Sequence, residues 1–277
     1  MISVLVLTKN EESNITRCLE SVKWSDDITV LDDGSTDATT EIARNMGARV
    51  IVHSAGNERA QRTYSLRQID FKYRWMYNPD ADEVSTPELH DEMLGVVSDR
   101  SRREVAYRVR YKNMFMGKWI KHSSLYPTWI MRLFQPNRVS FERTINLRYM
   151  VDGSVGRLNS HFLHFSFNKG LNKWLEKHNC YAGFEAQESI SALHDGNFDW
   201  RGLFASDDAV RRRAALKQVS FRLPCRPTLR FVYMYLLRGG FLDGSAGLTY
   251  CRLLSMYEYM IVLKIQEIRR RERGQPV

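Results

Sequence analysis

Asn78-Pro79-Asp80-Ala81-Asp82-Glu83 is the stretch on which the reading of this chain turns. Two carboxylates, Asp80 and Asp82, flank a single alanine. Tyr73 to Tyr77 reads as a strand leading into them. Ser85-Thr86-Pro87, with Glu88 behind, reads as the cap and first turn of a helix. The acidic pair therefore falls in a short loop at the C-terminal end of a strand, the edge along which open α/β sheets bind ligands. Closely spaced carboxylates there suit Mg²⁺ or Mn²⁺, whose other coordination positions are filled by water and phosphate oxygens. A bare D-x-D also occurs as a solvated turn capping the next helix, so its weight comes from the residues around it.

Upstream, Ile2 to Thr8 is a nearly continuous apolar run, as a strand buried on both faces requires. Ile15, Cys18, Leu19 and Val22 follow at helical spacing. Ile28 to Leu31 is a second strand, closed by the turn Asp32-Asp33-Gly34-Ser35. Ile42, Ala43 and Met46 mark a helix that Gly47 stops. Val50 to Val52 is a third strand and Ala60 to Ile69 a helix. This alternation predicts a Rossmann-like α/β fold with a mostly parallel central sheet and right-handed crossovers. Three polar clusters then lie at successive strand ends: Thr8 to Glu12, Asp32 to Asp37 and Asp80 to Glu83. Together they outline a crevice for a nucleotide. There is no G-x-G-x-x-G after the first strand and no G-x-x-x-x-G-K-S/T, which argues against a dinucleotide enzyme and a P-loop ATPase.

The order T-K-N-E-E-x-x-I, L-D-D-G-S-T-D and D-A-D-E resembles family 2 glycosyltransferases, whose fold is the nucleotide-sugar-binding A-type. Further stretches resemble the branch that builds lipopolysaccharide cores and exopolysaccharides: Gly117 to Ile120, Arg132-Leu133-Phe134, Val151-Asp152-Gly153 with Val155-Gly156, Leu163 to Ser166, and Arg238 to Gly244. The resemblance implies transfer of a sugar from a nucleoside diphosphate donor, UDP by preference, with inversion at the anomeric carbon. It implies that Thr8, Asn10 and Glu12 line the nucleotide pocket, that Asp32 and Asp33 hold base and ribose, and that Gln61 and Arg62 face the nucleotide. Asp80 and Asp82 would bind ribose and metal. His164, in an otherwise apolar strand, reads either as a satisfied core histidine or as a third metal ligand or diphosphate contact. Related chains carry an acidic residue or a His-Glu step before the V-D-G turn; here Asn146-Leu147 replaces that step, and Glu142 becomes the candidate general base. Lys118, Trp119, His122 and Arg132 are candidates for shaping the acceptor site.

After Arg100 the pattern changes. Val105 to Tyr111, Thr128 to Phe134, Val139 to Arg143 and Val155 to Phe167 read as a mixed β part. Lys169 to Ser191 is helical again, with Leu171, Trp174, Leu175, His178 and Ala182 on one face. From Ser206 onward basic and apolar residues alternate, Phe231 to Leu237 is apolar and aromatic, and Leu248 to Ile268 is a long helix with a basic end. The expected organisation is a catalytic domain over 1–205 (nucleotide half 1–100, acceptor half 101–168, packing helix 169–205) and a basic helical extension over 206–277. Such helices without a spanning segment suit the interface of an anionic membrane; a helical subdomain packed on the catalytic core, or a dimer interface, is the competing reading.

The chain has 277 residues, 43% hydrophobic, with a net charge of +9, enough for a sizeable core and suited to an anionic partner. Cys18, Cys180, Cys225 and Cys251 are widely spaced and read as reduced thiols. No signal peptide is evident, so the expected place is the inner face of the cytoplasmic membrane. Two other readings compete. A sugar-phosphate nucleotidyltransferase would carry a glycine-rich N-terminal loop, and Thr8 to Asn14 has no glycine. A nucleic-acid-binding protein would gather its basic residues in one stripe, whereas here much of the excess lies in the C-terminal helices.

Overall fold

The computed structural model describes residues 1–142, 148–194, 199–204, 212, 215, 218–219 and 225–277. They form two compact units: Met1–Trp119 with Leu125–Asn168, and Ile120–Ser124 with Lys169–Val277. The helix that begins after Lys169 thus groups with the C-terminal residues.

The first unit is built on one sheet. β1 (Ser3–Thr8), β2 (Ile28–Asp32), β3 (Arg49–Val52) and β4 (Met76–Tyr77) are joined by α1 (Ile15–Ser21), α2 (Thr39–Asn45) and α3 (Glu58–Gln68). Next come β5 (Glu83–Ser85), α4 (Pro87–Ser98), β6 (Glu104–Phe115), β7 (Lys118–Trp119), β8 (Trp129–Phe134), β9 (Val139–Glu142), β10 (Arg148–Val151) and β11 (Ser154–His164). The sheet order is β3-β2-β1-β4-β8-β6-β11-β5, with β7 on β6 and β9-β10 as a separate pair. β3, β2, β1 and β4 run parallel. β8 pairs antiparallel with both β4 and β6, β11 runs parallel to β6, and β5 closes the edge antiparallel to β11. The sheet is buried on both faces because alternate residues point to opposite sides. Val4, Val6 and Val30 pack with Ile15, Cys18, Leu19 and Ala43, while Leu5, Leu31 and Met76 pack with Ile69 and Phe134.

Local chemistry sets several boundaries. Asn57 caps α3 through Ala60 N–H, so the helix starts before the expected Ala60. Thr86 caps α4 through Leu89 N–H, with Pro87 in the first turn. β4 is shorter than the expected Tyr73 to Tyr77, because Tyr73 N–H donates to the side chain of Ser3. The expected strand Val139 to Arg143 is described only to Glu142; residues 143–147 lie outside the described set, as does much of the span from Ser206 to Pro224.

The second unit is helical where described. α5 (Gly170–His194) packs on α7 (Gly244–Glu272) through Ala182, Ala186 and Ile190 against Ile261 and Ile265. Leu171 is exposed rather than on the packed face. α6 (Arg226–Val232) runs into a π turn, Tyr233–Leu237, and a 3₁₀ turn, Gly240–Asp243, ahead of α7. All four cysteines are free; Cys18 and Cys251 are buried, Cys180 and Cys225 exposed. Among the described residues, no helix is long and apolar enough to cross a membrane.

Candidate active site

Loops after β1, β2 and β4 leave the same edge of the sheet, since the register pairs Thr8 with Asp32 and Leu7 bridges to Asp80. The first two loops are stitched together. Asp32 is fully buried: Oδ1 accepts from Ser35 N–H at 2.7 Å, and Oδ2 accepts from Thr8 Oγ1 at 3.0 Å and from Ser35 Oγ. Its neighbour Asp33 faces outward, 2.9 Å from Lys9 Nζ, and accepts from Ala55 N–H at 3.2 Å. Asn10 sits at φ 54°, a left-handed conformation that Asn tolerates better than most residues. Its Oδ1 accepts from Thr36 N–H at 2.8 Å. Glu12 Oε2 accepts from Ala38 N–H at 3.1 Å, at the start of α2. Gly34 has φ +77°, and a Cβ there would lie 2.7 Å from Ser54 Oγ, so this turn takes no larger residue without rearrangement.

The acidic loop rests on two buried arginines. Arg62, from α3, donates to Asn78 Oδ1 at 2.6 Å, to Asp80 Oδ1 at 3.2 Å and to Glu58 at 2.9 Å. Asn78 in turn donates to Leu5 O at 2.7 Å. Arg132, from β8, grips Glu83 with two donors at 2.9 and 2.6 Å and also contacts Asp80. Gln61 donates to Leu31 O at 3.3 Å, tying α3 to the end of β2. Burial opposes ionisation of Asp80, yet Arg132 and Arg62 beside it hold its carboxyl down at about 2. Burial pushes Glu83 up to about 7, with Asp80 adding to the rise and Arg132 opposing it.

Asp82 is placed differently. Its side chain keeps 27% of its surface exposed, against 39% for Asp80, and its Oδ2 lies 3.3 Å from His164 Nε2 rather than beside an arginine. The sheet makes this pair: β11 lies against β5 with His164 opposite Glu83, and Phe165 N–H donates to Asp82 O at 2.9 Å. Burial works against protonation of His164, but the hydrogen bond and charge of Asp82 prevail and raise its pKa.

The three residues expected to hold a cation are thus neighbours with different partners. Both oxygens of Asp80 face arginines, leaving Asp82 and His164. Among the described residues, no group of three or more His, Cys, Asp or Glu side chains is arranged to hold a metal ion. One available carboxylate still fits Mg²⁺ or Mn²⁺, because such ions keep several waters and bind through one or two carboxylates together with substrate phosphates.

Glu142 lies exposed at the end of β9, opposite Arg148 in the separate β9-β10 pair. Its side chain makes no hydrogen bond or ion pair among the described residues. Arg132 is 5% exposed and serves the acidic loop, so it does not offer its guanidinium to an acceptor as expected from sequence. His122 belongs to the second unit, where its N–H donates to Asp243. The roles of Arg132 and Asn78 escaped the sequence reading. A signal existed: Arg132 is the lone charge in the apolar run Trp129-Ile130-Met131-Arg132-Leu133-Phe134, and a charge in such a run needs a buried partner.

Residues 3–162 match the model of glycosyl transferase family 2. An uncharacterized glycosyltransferase of Rickettsia bellii is 30% identical over 203 residues, 68% of this chain and 67% of that one. A second, of Rickettsia typhi, is 25% identical over 285 residues, 99% of this chain and 89% of the other. The lipopolysaccharide core biosynthesis glycosyltransferase LpsC of Rhizobium meliloti is 20% identical over 274 residues, 96% and 92% of the two chains. Among solved structures, TarS 1–349 of S. aureus aligns over 99% of this chain and 92% of that chain, at 15% identity and a TM-score of 0.42. With its mostly parallel sheet continued by mixed strands and its acidic loop at a strand end, the chain is a glycosyltransferase and belongs to glycosyl transferase family 2.

Proposed function

We propose that this enzyme moves a sugar from a nucleoside diphosphate donor, preferentially a UDP-sugar, to a lipid-linked or lipopolysaccharide-type acceptor, with inversion. The observation that carries the reading is the different partners of the two carboxylates: both oxygens of Asp80 are engaged by arginines, while Asp82 lies beside His164. In this reading Asp33 takes the base or ribose, because Asp32 is buried and its oxygens are already engaged. Thr8, Asn10 and Glu12 hold the loop against which the nucleotide lies. Gln61 and Arg62 support the floor of the site, and Asp80, whose side chain keeps 39% of its surface exposed between its arginines, takes the ribose side of the donor. Asp82, with His164, holds a divalent cation, which when bound neutralises charge growing on the departing diphosphate. Glu142 takes the proton of the acceptor hydroxyl as that oxygen attacks from the face opposite the diphosphate. A single displacement needs no covalent nucleophile. The kinship with LpsC supports a lipopolysaccharide-type acceptor, and the basic C-terminal helices support work at an anionic membrane surface.

Asp82→Asn should abolish the Mn²⁺-dependent part of UDP binding in calorimetry, with an unchanged melting profile. Retention of the metal-dependent part would reject this assignment. Glu142→Gln should lower kcat by about 10²-fold or more while UDP binds as before. A near-normal rate would move the base elsewhere.

A further inference from the structure

A cavity of about 310 Å³ lies between α3 and β9, and Arg59, Thr63 and Arg67 line its helical side. Residues four apart share one face of a helix, so these three side chains follow one another along about 12 Å of α3. The facing wall is apolar, built from Pro136, Val139 and Phe141, with the hydroxyl of Ser140 beside them. The volume falls at the lower end of small-ligand sites, about 300–1,000 Å³. None of the lining residues is acidic. Glu58, the neighbour of Arg59, turns instead to Arg62 at 2.9 Å.

The donors around this cavity are available. Arg59 donates through Nε to Phe141 O at 3.2 Å, which fixes its guanidinium against the strand and leaves both terminal nitrogens without a partner among the described residues. The side chain of Arg67 is exposed and makes no hydrogen bond or ion pair among the described residues. The hydroxyls of Thr63 and Ser140 make none either. Ser65 on the same helix differs: its hydroxyl donates back to Arg62 O at 2.7 Å, as hydroxyls inside helices commonly do. Two guanidinium groups and two hydroxyls therefore border one space with an apolar wall. Guanidinium forks match the oxygens of a phosphate, which accepts from several donors at once. A nucleic acid would need an open basic stripe rather than a hollow of this size.

We propose that the cavity between α3 and β9 binds a phosphomonoester of a small polar molecule, with Arg59, Thr63, Arg67 and Ser140 donating to the phosphate oxygens and the apolar wall lying against the remainder. The site is separate from the donor crevice and uses none of the residues assigned there; only whether its phosphate belongs to an acceptor rests on the transferase reading. The test is calorimetry of the full chain with glucose 6-phosphate at fixed ionic strength, with glucose as the uncharged control, each with and without saturating UDP. Glucose 6-phosphate should bind in both cases and glucose in neither. Arg67→Gln should weaken glucose 6-phosphate by about tenfold, the loss expected when one charged hydrogen-bonding partner is removed, and leave UDP affinity unchanged. Arg67→Lys, which keeps the charge but not the fork, should recover part of that loss. Thr63→Val should weaken binding by about threefold, with an unchanged melting profile. Absence of glucose 6-phosphate binding, or equal binding by Arg67→Gln, would overturn the proposal. Displacement by UDP would also overturn it, by moving the phosphate to the donor crevice. Two sources of the phosphate are told apart by adding UDP-glucose and Mn²⁺. Bound glucose 6-phosphate that gains a sugar assigns the phosphate to the acceptor, whereas glucose 6-phosphate bound and unaltered assigns it to a ligand other than the acceptor; the cavity stands as a phosphate site in both.

Discussion

Beneath the acidic loop, Arg62, Arg132 and Glu83 are buried; along the bend after α6, Leu236, Leu237, Phe241 and Leu242 stand in the open. Each region inverts the common distribution of charge and apolar surface, and each does so for its own reason. The buried charges are tolerated because they satisfy one another: Arg132 holds Glu83 and Asp80, and Arg62 holds Asp80 and Asn78. Such pairs add little net stability compared with apolar packing, so what this network supplies is geometry, a loop whose two aspartates have different partners. The exposed leucines make no comparable demand on their neighbours. The difference teaches where substitutions bite on folding: hard in the first region, lightly in the second.

Arg132→Met is the hardest test of that contrast. It leaves Glu83 buried without its cation, and loss of one partner of a buried pair costs about 3–5 kcal/mol. A clear fall in denaturant midpoint is expected, and near-wild-type stability would mean the network is dispensable. Asp80 gives a smaller, pH-resolved effect. Its carboxyl is held near 2 against an ordinary 3.8, burial opposing and the arginines prevailing. A lowered carboxyl contributes stability that is present above its unfolded value and is lost as pH falls through its folded value. The wild type should therefore lose thermal stability between about pH 4 and pH 2, and Asp80→Asn should lose less over that window. Parallel curves would show that the arginines do not hold Asp80 as described. Leu237→Ser should change unfolding free energy least, within about 0.5 kcal/mol, because the side chain is 76% exposed. A larger loss would make Leu237 a packing residue and weaken the contrast.

Much of the first half of the fold was legible from periodicity. Ile2 to Thr8 and Ile28 to Leu31 are short apolar runs, and their ends carry the polar loops that share one edge. The motif order in those loops was enough to point to the family. Legibility fell where contacts are distant in the chain. Nothing local to Thr128 to Phe134 says that its strand inserts between β4 and β6, so Arg132 read as an acceptor contact. Which of Asp32 and Asp33 would be buried was likewise open, because both sit in one turn and only the packing of Thr8 and Ser35 separates them.

The order of strands and helices, the acidic loop at a strand end and the kinship with family 2 were determined by the amino-acid sequence, because each depends on residues close together in the chain. Tertiary structure alone decided which partners the acidic loop acquired. Pairing of β8 with β4 delivered Arg132, and pairing of β11 with β5 delivered His164. Strand neighbours far apart in sequence are chosen by the packing of the whole sheet, and that choice gave one aspartate two arginine partners and the other a histidine.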